Sequence, residues 1–119
     1  MGYYTYYSLD ARDAKTRNFV NEDLEREICE RLYEISGGAF YYGDSFEECF
    51  GSEHKWYDHQ DDMIKLSKEY PDLVFILDGE GEERDDVWRM YVQNGEWEEV
   101  HAMIVWNAPG YEKFKGFGL

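Results

Sequence analysis

His54, His59 and His101, with Cys29 and Cys49, are the side chains of this sequence best suited to nucleophilic catalysis or metal binding. A nucleophile–base pair needs a serine or cysteine beside a histidine, and an acid to orient the ring. None of the three histidines stands in such a motif. Cys49, His54 and His59 could in principle ligate zinc, but their spacings match no standard zinc pattern. Cys49 therefore reads as a core residue and the histidines as exposed, with no metal or other cofactor expected. The segment Asp78-Gly79-Glu80-Gly81-Glu82 has the composition of a calcium loop, yet it lacks the ordered Asp/Asn positions and the distant bidentate glutamate. Acids also surround Gly79-x-Gly81, which rules it out as a phosphate cradle. The chemistry-bearing residues do not describe an enzyme.

Charge is the stronger signal. The chain has 119 residues and a formal net charge of −15, from 27 acidic and 12 basic side chains. Such an excess keeps a protein soluble, repels nucleic acid and anionic membrane, and attracts basic proteins. No lysine–arginine stripe exists to neutralise phosphates, so direct nucleic-acid binding is not expected. The acidity falls in two blocks. Residues 22–62 carry thirteen acidic against three basic side chains, and residues 78–99 carry nine against two. In the first block, Glu25, Glu30 and Glu34 fall away from an apolar helical stripe, which a solvated helix face also explains. In the second, Asp78, Glu80, Glu82, Glu83, Asp85 and Asp86 crowd nine positions. Charges so close oppose compaction, and an exposed turn tolerates that repulsion best. The functional reading of both groups is a row of carboxylates, spaced like phosphates, offered to a basic groove. The plain reading is solubility.

The elements that must position these residues follow from periodicity. Residues 3–9 have strand propensity, with Tyr3, Thr5, Tyr7 and Leu9 on one face. A mixed-charge connection over 10–20 leads to Asn21 as a helix N-cap, with Glu22 and Asp23 in the first turn. Leu24, Ile28, Leu32 and Ile35 make the stripe, and Gly37-Gly38 stops the helix. Ala39–Tyr42 and His54–Tyr57 could be short strands. Asp58 or Asp61 can cap a second helix bearing Met63, Leu66 and Tyr70, which Pro71 ends. Leu73–Leu77 is an apolar strand, Asp78–Asp86 an acidic turn, and Asn94-Gly95 a type I′ hairpin turn between strands over 87–93 and 96–106. The tail, 110–119, holds three glycines, a composition suited to mobility. One domain over 1–119 results, of α+β class: a ferredoxin-like antiparallel sheet with two helices on one face and a C-terminal β-hairpin extension. With no membrane-length apolar run and no signal peptide, the expected place is the bacterial cytoplasm, with both cysteines as free thiols.

From Lys55-Trp56 onward a longer pattern emerges. It runs through Trp56, the acidic helix start Asp58–Asp62, Leu66-Ser67, Tyr70-Pro71, Leu73–Leu77, Gly79–Glu83, Trp88–Tyr91 and Asn94-Gly95-Glu96. This half of the chain resembles the small phage and mobile-element proteins with a YubB/Api92-like ferredoxin-like domain. The resemblance implies phage origin and that fold, and carries no catalytic residues. In size and charge the chain is also similar to anti-CRISPR and anti-restriction inhibitors, several of which mimic DNA. The expectation is a phage-encoded inhibitor, not an enzyme, that fills the basic nucleic-acid groove of a CRISPR effector nuclease, with Cas9 favoured.

A rival expectation is a non-enzymatic phage accessory module for protein–protein interaction. Its docking surface would be an aromatic sheet face. Tyr4, Tyr6, Trp88 and Trp97 are the candidate rings, although rings in such strands are more often core.

Overall fold

The computed structural model describes residues 3–40, 43–51 and 53–116. In strand β1, Thr5–Asp13, the residues Thr5, Tyr7, Leu9 and Ala11 are buried and those between them face outward. This period of two belongs to a strand with one packed face. The sequence expectation ended this strand at Leu9. It runs four residues further because Asp10–Asp13 pair with Ile76, Phe75, Val74 and Leu73. Asn21 caps helix α1, Glu22–Ser36, its Oδ1 accepting from Leu24 N at 2.8 Å. The stripe points inward as expected: Ile28 and Leu32 are fully buried, and Leu24 and Ile35 pack at its margins. The helix closes at Gly37 in the left-handed conformation, with Gly38 N donating to Tyr33 O.

A short helix absent from the sequence reading follows. Helix α2, Phe46–Cys49, is capped by Ser45 and drives Phe46, Cys49 and the adjoining Phe50 into the core. Of the strand expected over Ala39–Tyr42, residues 41–42 lie outside the described residues. Phe40 forms no strand and packs its ring on Phe50 at 4.6 Å between centroids. Strand β2 is only Glu53–His54, because Trp56 leaves the sheet edge to enter the core. Helix α3, His59–Glu69, starts after Asp58, whose side chain makes no cap bond.

Strand β3 spans Leu73–Gly81, β4 spans Val87–Gln93 and β5 spans Glu96–His101. The sheet order is β2-β1-β3-β4-β5, antiparallel throughout. β4 turns into β5 through Asn94 and Gly95, both at positive φ (45° and 85°), the conformation that a two-residue I′ turn demands. β5 stops at His101, short of the expected Trp106.

Helices α1 and α3 pack on each other, α3 on β3 and β4, and α2 on β1. All meet the face that carries Tyr7, Leu9, Phe75, Leu77, Met90 and Val92. The opposite face is open to solvent at Tyr6, Ser8, Arg89 and Tyr91.

Candidate functional site

The acidic turn is shorter than its sequence suggests. Asp78, Gly79, Glu80 and Gly81 belong to β3, opposite Ser8, Tyr7, Tyr6 and Thr5. Gly79 explains how the strand continues there: a Cβ at that position would come within 2.2 Å of the Trp88 indole, so only glycine lets the ring lie against the backbone. The turn proper runs from Glu82 to Asp86 and is fastened to the N-terminal tyrosines. Tyr3 OH donates to Asp86 Oδ2 at 2.7 Å and accepts from Glu83 N at 3.1 Å. Tyr4 N donates to Glu82 Oε1 at 2.9 Å. Its bond to Asp86 raises the Tyr3 phenol above its ordinary value. Two of these bonds hold carboxylates, those of Asp86 and Glu82, and the third holds the Glu83 backbone, so the turn is fastened at three points ahead of β1.

Within the second block the structure separates roles. Both oxygens of Asp78 face Arg89, with Nε at 2.6 Å and Nη2 at 3.0 Å, a bidentate pair. Glu80, Glu82, Glu83 and Asp85 are exposed, and Asp86 is half-buried. The α1 group is less coherent. Glu25 accepts from Phe46 N at 2.7 Å and so anchors α2. Glu34 pairs with Arg31 at 3.0 Å, and the same guanidinium reaches Glu69 at 2.6 Å. Glu30 is exposed. The helix group thus serves α1, α2 and α3 packing, while the turn group lies at the far end of β3 beside Tyr3 and Tyr4.

The open sheet face was only partly foreseen. Tyr4 and Tyr6 are exposed, Trp97 is exposed but stands on the other face opposite Val92, and Trp88 is buried against Gly79 and His59. Register places Tyr6, Glu80 and Val87 in one cross-strand row, and Ser8, Asp78, Arg89 and Val100 in the next. Tyr91 follows on the same face. These residues line a groove of about 500 Å³. Ser8, Arg89, Tyr91 and Val100 belong to expected strands but are not candidate site residues in the sequence reading. Strand alternation was the available signal, but it could not show which face lacked a cover.

Of the histidines, only His101 is exposed. His54 is buried, and burial holds its imidazole pKa below the ordinary value. His59 is half-buried, stacks on Trp88 at 4.7 Å and donates from Nδ1 to Trp56 O at 3.3 Å. Glu99 lies between His59 Nε2 at 4.0 Å and His101 Nε2 at 3.2 Å. Asp62, at the end of the acidic helix start, is buried and accepts from Trp56 Nε1 at 2.7 Å, a role the sequence does not reveal. No group of three His, Cys, Asp or Glu side chains among the described residues is placed to hold a metal.

Cys29 and Cys49 are free, buried and in contact across α1 and α2. The Cys29 thiol donates to Cys49, which raises Cys29 and lowers Cys49. Neither thiol is therefore expected to react with an aqueous disulfide reagent while the protein is folded. Both should react once denaturant is added. Rapid titration of the native protein, or silence after unfolding, would contradict this placement.

No protein-family model, curated protein or solved structure matches the chain. No helix among the described residues is long and apolar enough to cross a membrane. The functional reading rests on the site's own geometry.

Proposed function

We propose that this protein is a non-enzymatic, phage-encoded inhibitor that binds the basic nucleic-acid groove of a host defence nuclease, a CRISPR effector of Cas9 type being the favoured target. The supporting observation is the fastening of the Glu82–Asp86 turn by Tyr3 and Tyr4. A preorganised row of carboxylates loses less freedom on docking than a mobile one, so more of its attraction appears as affinity. Complementary charge also speeds encounter and selects basic partners. A ferredoxin-like reading of the sheet accompanies the proposal. It is supported by β2 and β3, which are joined by α3 and flank β1 as a split crossover, with β4 and β5 added at the edge.

The test is competition. Binding to an apo Cas9-type nuclease should weaken as salt rises from about 0.1 M towards 1 M, because the Debye length falls from about 10 to 3 Å. Guide RNA or target DNA already in the groove should block it. Binding that ignores both salt and nucleic acid would sink the inhibitor reading.

One observation favours the accessory-module alternative. Met103, Val105 and Trp106 are 86%, 77% and 76% exposed, and Arg84 of the acidic turn stacks over the Trp106 ring at 5.0 Å. An apolar strip beside the carboxylates suits a protein partner with an apolar patch.

A further inference from the structure

The groove on the open sheet face has a chemistry distinct from the turn. Its walls are rings and apolar side chains, namely Tyr6, Tyr91 and Val100, and the short Ser8 leaves room between them. Its volume of about 500 Å³ lies within the roughly 300–1,000 Å³ of ordinary ligand sites. Arg89, the one arginine or lysine among the described residues lining it, is held bidentately by Asp78, so the pair is close to neutral. Glu80, one row along, has no ion pair among the described residues, and Glu53 faces the Tyr6 hydroxyl at 3.3 Å. The field of Glu53, with a smaller part from Glu80, raises the Tyr6 phenol, which stays protonated at neutral pH.

These features select a ligand class. An anion would meet Glu80 and Glu53, and a purely apolar ligand would strip water from Glu80 without a compensating bond. A cation gains from both the carboxylate and the ring faces. A planar guanidinium can stack on a tyrosine while bonding a carboxylate with two N–H groups, which an ammonium cannot do. An exposed tyrosine of this protein already seats a cation, for Lys55 Nζ lies 4.7 Å from the centroid of the Tyr4 ring. The groove is larger than one side chain, so residues flanking the cation can enter with it.

We propose that this groove binds an arginine side chain carried on an extended segment of a basic partner protein, an inference that rests on the basic-partner reading above and adds a second contact to it. Blocked tripeptides isolate that contact: acetyl-Ala-Arg-Ala-amide, with its lysine and glutamate counterparts, titrated into the ¹⁵N-labelled protein. The arginine peptide should give saturable amide shifts centred on Tyr6, Ser8, Glu80, Arg89 and Val100. The lysine peptide should bind more weakly and the glutamate peptide not at all. Glu80→Gln, an exposed substitution on a paired strand, should weaken arginine binding by about fivefold with thermal melting unchanged, and Tyr6→Phe, which keeps the ring, should bind arginine better than Tyr6→Ala. Shifts spread evenly over Glu82–Asp86 and Glu96–Glu99, or affinity unaffected by Glu80→Gln, would overturn the site. The nuclease competition above is independent of these peptides. Loss of groove binding alone therefore counts against this inference, and loss of nuclease binding alone counts against the inhibitor reading.

Discussion

Replacing Glu83 and Asp85 with lysine is expected to slow association with a basic nuclease by on the order of 10- to 100-fold at low salt. These two side chains are exposed and make none of the side-chain bonds that fasten the turn. Adding Glu82→Lys and Asp86→Lys should deepen the loss. That fourfold variant also removes the acceptors of Tyr4 N and Tyr3 OH, so part of its effect is a loosened turn. The same reversal at Glu96, Glu98 and Glu99 should matter much less. Glu30→Lys tests the helix block, whereas Glu25→Lys would also release Phe46 N and α2. Stopped-flow association rates are the sensitive readout, because exposed charges act first on the on-rate. Unchanged rates for Glu83→Lys/Asp85→Lys, with binding abolished by Met103→Ser or Trp106→Ser, would replace the mimic with a hydrophobic docking module.

The second large effect is on stability. Phe75 and Ile76 are neighbours in β3 and differ mainly in the face they occupy. Phe75 is fully buried between the sheet and the helices, with Tyr70 edge-on at 6.3 Å, while Ile76 is half-buried on the open face. Phe75→Ala should cost about 3–5 kcal/mol, the sum of lost burial and an unfilled cavity. Ile76→Ala should cost no more than about 2 kcal/mol, since part of its surface already meets water. Urea unfolding of the two variants measures the contrast. Equal losses would mean that the second face is covered, and the groove would then be closed to ligands.

Much of the local structure was legible because local physics decides it. Asn21 as a cap, the Ile28–Leu32 stripe, the break at Gly37-Gly38, and Asn94-Gly95 as a turn with positive φ all follow from short-range geometry. The errors share one cause. Residues 10–13 were read as a connection and 78–81 as a turn because they are polar or glycine-rich. Each stretch is strand because a distant apolar or aromatic segment pairs with it, Leu73–Ile76 with residues 10–13 and Thr5–Ser8 with residues 78–81. Similarly, the apolar run 102–106 reads as strand, yet β5 ends at His101 and leaves Met103–Trp106 exposed.

The acidic character, the boundaries of α1 and the location of the two charged blocks were determined by the sequence alone, since they depend on composition and on neighbours a few residues apart. What each carboxylate does was decided by tertiary structure. Asp78 is matched to Arg89 across β3 and β4, Glu25 to a backbone amide of α2, and Asp86 to a tyrosine eighty-three residues away. Trp88 was drawn from the candidate binding rings into the core by a glycine on the adjacent strand. Tyr6 and Tyr91 were left facing water on the uncovered face. Alternation assigns residues to two faces of a strand, but only the packing of α1, α2 and α3 determines which face is covered, because helix burial is a long-range contact that no local pattern encodes.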